Sequence, residues 1–190
     1  MEQKKHLPLR IVNSILLLAS LAFCVIAMIK NPADTSAMGT NPFTTVCDVL
    51  KILMLAFGLV YMLMNYSKNA SVIYKVFFVV LFIGTFIQAV YSASTPNYSV
   101  YKTVLNLIPV AAIAVLAVAK DLGKKNTMLL TIVFVLCRLV LLINYIINIS
   151  DYGTGAVGIL STGVANLLIA LTTGVMVIGK YLDKTERGTK

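Results

Sequence analysis

Arg138 is the residue whose chemistry demands most of its surroundings. It sits in the middle of an apolar run, 128–149, whose 22 residues reach across a bilayer at about 1.5 Å each. A guanidinium does not escape burial by losing its proton. At the centre of a membrane helix it costs at least about 2.5–3.5 kcal/mol, so it must face protein or water rather than lipid. Thr131, Arg138, Tyr145 and Tyr152 recur every seven residues, nearly two helical turns, and therefore form one polar stripe.

Other apolar runs carry polar side chains that could share a seam with that stripe: Lys51, Gln88, Asn106 and Asn166. Asn13 with Ser20, and Asn166 with Thr173, repeat the seven-residue spacing. Thr85, Gln88 and Ser92 share a helix face. No Asp or Glu lies within any of these runs; Asp48 stands at the rim of one. Such a seam, with Arg138, Tyr145, Lys51, Gln88, Asn106 and Asn166 around it, has the chemistry to hold a weakly anionic solute or a lipid head group. Two plainer readings stand beside it. Ser, Thr, Asn and Gln commonly join membrane helices at about 0.6 kcal/mol each. Lys51 can pair with Asp48 one turn earlier, or reach outward to the interface.

Catalytic chemistry is not expected. The single histidine is His6, no pair of carboxylates lies in the apolar runs, and neither a metal-ligand cluster nor a phosphate-binding loop is present. Cys137 adjoins Arg138 but has no histidine base. Cys24, Cys47 and Cys137 lack metal-ligand spacing and read as small apolar side chains. Phe23 before Cys24 rules against a lipidation site. No enzyme activity and no cofactor are therefore assigned.

The elements that must position these residues are long apolar helices. The chain is 59% hydrophobic and 12% charged, against about 25% charged in soluble domains. Backbone groups in lipid must be satisfied within each segment, so the expected fold is all-α: one polytopic domain over 1–190 with six transmembrane helices. The spans are read at 11–29, 47–66, 72–92, 102–119, 128–149 and 157–179. Pro109 is a kink candidate in the fourth. The basic start and first apolar run read as an uncleaved anchor rather than a signal peptide. Ser150 to Gly163, with four glycines, reads as a flexible loop or as close packing of small residues, with a broken or re-entrant entry to the sixth span and backbone amides open to an anion as the sharper alternative.

The net charge of +9 suggests nucleic acid, but its placement does not. Twelve of the sixteen Lys and Arg residues fall in the two ends and in two short loops, whereas Lys30, Lys51 and Lys102 lie at the other side. This asymmetry puts both termini in the cytoplasm and the lysines among anionic lipid heads. No nucleic-acid partner is expected.

Segments 104–124 and 164–184 match at seven of twenty-one positions, including Asn106 with Asn166 and Lys120 with Lys180. Val49-Leu50-Lys51 opens the second span in a similar register. The pattern reads as three tandem helical hairpins, repeats of a kind used by transporters. Shared topology signals alone also place lysines at equivalent ends.

In size, span number and inside termini the chain resembles the substrate-binding subunits of energy-coupling-factor vitamin transporters, in architecture only. Their Ala-x-x-x-Ala contact motif on the first span is missing from Ser20-Leu21-Ala22-Phe23-Cys24, and membership is not claimed. The functional expectation is a small transport-type or solute-binding membrane subunit with a polar site around Arg138. The alternative is a non-transporting accessory, immunity or regulatory protein that packs against a membrane partner. The expected location is a cell membrane, crossed several times. Frequent Lys, Ile and Asn suggest an AT-rich bacterial genome and hence the inner or cytoplasmic membrane.

Overall fold

The computed structural model describes residues 7–30, 42–64, 71–94, 100–119 and 122–187. Expectations placed on His6, on 31–41, 65–70, 95–99 and 120–121, and on the side chains of Cys47, Asp48, Ser92 and Tyr152, fall outside the described residues.

Six α-helices account for almost all of it: α1 (Leu7–Lys30), α2 (Pro42–Leu63), α3 (Ser71–Ser94), α4 (Val100–Val118), α5 (Lys124–Ile147) and α6 (Ala156–Arg187). Five of them carry stretches long and apolar enough to cross a membrane. Counted over the described residues, the apolar stretch of α2, Val49–Leu63, is shorter. Pro42 opens α2, where the missing N–H costs nothing. Pro109 lies inside α4 and is buried, so neighbouring helices rather than water surround the carbonyl it leaves without a donor.

Each helix packs on its neighbours in sequence, and α6 returns to lie along α1 in the most extensive interface of the bundle. With 56% of its apolar window buried, α6 is the hub; the corresponding share elsewhere is 33% or less. Tyr61 of α2 meets Tyr74 of α3 at 5.3 Å, and Tyr74 meets Phe78 at 4.8 Å. Lys180 of α6 caps this aromatic stack, its ammonium 4.2 Å from the centre of the Tyr74 ring, within cation–π range.

The distribution of polarity is that of a bilayer protein. Asn13, Ser20, Asn106, Arg138, Thr172 and Thr173 are buried, while Leu18, Ile29, Leu129, Ile132 and Leu136 stand exposed. Apolar surface on this scale is rare on monomers in water and is what a hydrocarbon solvent requires.

Two expectations for the C-terminal region are corrected. The glycine-rich segment is not a long loop with a broken entry. A 3-10 turn covers Ile149–Gly155, and α6 then runs unbroken from Ala156. Within that turn Gly153 has φ +49°, a backbone conformation that favours glycine. Gly163 is helical because α5 crosses α6 there: a Cβ at this position would lie 3.0 Å from both Leu142 Cδ1 and Tyr145 Cδ2. The helix also continues beyond Gly179 to Arg187 rather than giving way to a tail. Gly163→Leu is therefore expected to cost about 1–3 kcal/mol through overpacking, seen as a lower thermal midpoint in detergent. Gly84→Ala is the control: its Cβ would meet Leu50 at an ordinary 3.6 Å, and the midpoint should barely move.

Asn13 offers a change of the opposite sign. It is fully buried on α1, and neither its amide nitrogen nor its oxygen has a partner among the described residues. Leaving a buried polar group unpaired costs about 1–3 kcal/mol. Asn13→Leu, which keeps the branched heavy-atom shape, should raise the thermal midpoint; a lower midpoint would mean that the amide is satisfied in the membrane.

Candidate functional site

Arg138 is 4% exposed, and its environment is built by its own helix and four others. Its Nη1 donates to Oδ1 of Asn106 on α4 at 3.1 Å. The Asn106 amide is held in turn by its own Nδ2, which donates to the Lys102 carbonyl at 3.0 Å. Both ends of the asparagine are thereby used, and its oxygen is fixed toward the cation. One turn back on α5, Phe134 presents its ring 5.6 Å from the guanidinium carbon, a contact worth about 2 kcal/mol or more when desolvated.

On its other side the guanidinium lines an interior cleft. Lys51 and Met54 of α2, Thr85 and Gln88 of α3, and Asn166 and Ile169 of α6 complete much of the wall. Two cationic side chains, two amides and a hydroxyl thus converge from four helices, and among the described residues no carboxylate lines the cleft. The interior volume is about 20 Å³, room for roughly one water. Gly84 lies against Leu50 at this wall, which lets α2 and α3 close on the cleft.

Of the six residues singled out from the sequence, Arg138, Lys51, Gln88 and Asn166 line the cleft, and Asn106 holds Arg138 from behind. Tyr145 does not reach it. Its ring packs on Gly163 two turns away, because the α5–α6 crossing is tightest there. The seven-residue stripe is a genuine face of α5 turned to α6, but it is not a continuous polar path. Thr131 lies against Gly174, Tyr145 against Gly163, and only Arg138 between them opens to the cleft.

The wider seam is corrected for a related reason. The hydroxyls of Ser20, Thr131, Thr172 and Thr173 each donate to a carbonyl one turn back, at 2.6–2.9 Å. Such local bonds satisfy a hydroxyl without a partner helix. Cross-helix polar contacts include, besides Arg138 with Asn106, Asn144 Nδ2 donating to the Tyr101 hydroxyl at 2.7 Å, the Ser14 hydroxyl donating to the Met62 sulfur at 3.3 Å, and Tyr181 of α6, which donates to the Leu122 carbonyl at 3.0 Å and lies 2.7 Å from the Thr127 hydroxyl. Phe134 and the Gly84–Leu50 contact are site features that polarity in the sequence does not reveal. Cys24 and Cys137 are buried thiols that form no disulfide, and among the described residues no cluster of His, Cys, Asp or Glu could hold a metal. Comparison of the chain with protein-family models, curated proteins and solved structures returns no match.

Proposed function

We propose that this chain is a six-span integral membrane protein with cytoplasmic termini, a transport-type or solute-binding subunit that holds a compact anionic group in the cleft between Lys51 and Arg138. The observation that carries the reading is the convergence of two cations, Gln88, Asn166 and Thr85 on one interior cleft. Buried cationic groups in membrane helices are costly and commonly mark a pathway or a ligand. The volume of about 20 Å³ holds little more than one water, so even a carboxylate or phosphate head requires the cleft walls to give slightly. Loading a larger molecule requires α2 and α3 to part from α5 and α6. Both termini and the Lys124 end are placed in the cytoplasm by the distribution of lysine and arginine, and a bacterial inner membrane is the setting this composition favours.

The same small volume favours a second reading, in which the cleft is a structural polar knot and the protein acts by packing on a membrane partner. Purification in a mild detergent followed by mass spectrometry of small molecules and proteins separates the two. A stoichiometric anion that is released on denaturation and is missing from Arg138→Gln supports the binding role. A stoichiometric protein partner retained by Arg138→Gln, with no anion, supports the second.

A further inference from the structure

A second feature lies on the outside of the bundle, away from the cleft. Met128, Thr131, Ile132, Val135 and Leu136 of α5 and Gly174, Val177 and Ile178 of α6 enclose a groove of about 200 Å³ walled by carbon alone. Thr131 contributes only its methyl, since its hydroxyl donates to the Thr127 carbonyl at 2.8 Å. That methyl would sit 3.6 Å from a Cβ at position 174, so Gly174 is what keeps the floor open.

Three properties narrow the occupant. From Met128 to Leu136 the groove runs about 12 Å along α5, close to the depth of a single leaflet, about 15 Å. A partner helix crossing the bilayer would need a seat about twice as long. The α5 wall follows the spacing 128, 131/132, 135/136, and one turn earlier the same stripe begins with Lys124 and Lys125, both exposed. That end is also the N-terminus of α5, where first-turn amides lack helical acceptors and favour a phosphate.

We propose that this groove seats one acyl chain of an anionic phospholipid, with its head group held by Lys124 and Lys125 at the start of α5. The lipid lies in the leaflet on the Lys124 side. It is a site separate from the Arg138 cleft, and either can fail without the other.

The test is native mass spectrometry of the detergent-purified full chain titrated with palmitoyl-oleoyl phosphatidylglycerol or phosphatidylcholine at low salt. The wild type is expected to retain one phosphatidylglycerol and to bind phosphatidylcholine about thirtyfold more weakly, as two lysines near the surface imply. Lys124→Gln/Lys125→Gln should bind the two lipids alike. Gly174→Leu should retain neither; if it does not fold, Leu136→Trp, at an exposed position, blocks the groove from outside. Equal binding of both lipids by the wild type, retention of phosphatidylglycerol by both groove-filled variants, or a dimer that dissociates when the groove is filled would overturn the proposal.

Discussion

Asn106→Leu is expected to destabilise the bundle by about 2–3 kcal/mol, the largest loss among single changes that leave every charge in place. Its Oδ1 is the acceptor for the Arg138 Nη1 at 3.1 Å, and Arg138 is almost fully buried. Hydrogen bonds to charged groups contribute about 1.5–3 kcal/mol, and a leucine here places an apolar group against a guanidinium that cannot neutralise. The double variant Asn106→Leu/Arg138→Met should regain most of the loss, because a buried polar pair replaced by apolar groups of similar volume is often neutral or better. Thermal unfolding in detergent of the wild type, both single variants and the double variant gives the coupling directly. Additive losses would mean that the two side chains do not act together.

Arg138→Gln should weaken binding of a compact anion by at least about a hundredfold, roughly 2.7 kcal/mol, while the chain still inserts and purifies as a monodisperse species. Glutamine keeps amide donors but removes the permanent charge, and in a medium of low dielectric the charge is the larger part of the attraction. Lys51→Gln should cost less, since Lys51 is only half-buried, and its ammonium is better screened than a guanidinium that is 4% exposed. The readout is the anion-dependent rise in thermal midpoint for the wild type and each variant. If the wild type shows the same rise as Arg138→Gln, the guanidinium has no ligand role.

The helices were legible because hydrocarbon asks for long apolar runs, and hydropathy alone separates these from the polar connections. Their ends were less so. The start of α6 was read within one residue, at 157, but its end was placed at 179 rather than Arg187, and the glycines before it read as a loop because glycines that break helices in water are tolerated where two helices must touch, as Gly163 touches Leu142 and Tyr145. Arg138 announced itself by its cost. Lys51, Gln88 and Asn166 were recognisable as polar residues in apolar runs, and the packing of α2, α3, α5 and α6 brings them to one cleft. Tyr145 shared the stripe but not the cleft, since periodicity tells which face a residue occupies and not how closely the facing helix approaches. Hydroxyl direction was also hidden: a Ser or Thr that bonds its own helix reads identically to one that bonds a neighbour. Phe134 was invisible as a site residue, being one apolar side chain among many in an apolar helix.

The account turns on an anion-accepting cleft between Lys51 and Arg138 inside the bundle. Crystals of the wild-type protein soaked in bromide and measured at the bromine edge test it most directly. An anomalous peak within hydrogen-bonding reach of both the Arg138 guanidinium and the Lys51 ammonium is the predicted result. Peaks confined to the lysine-rich ends of the helices, with the cleft closed around side chains alone, would contradict it.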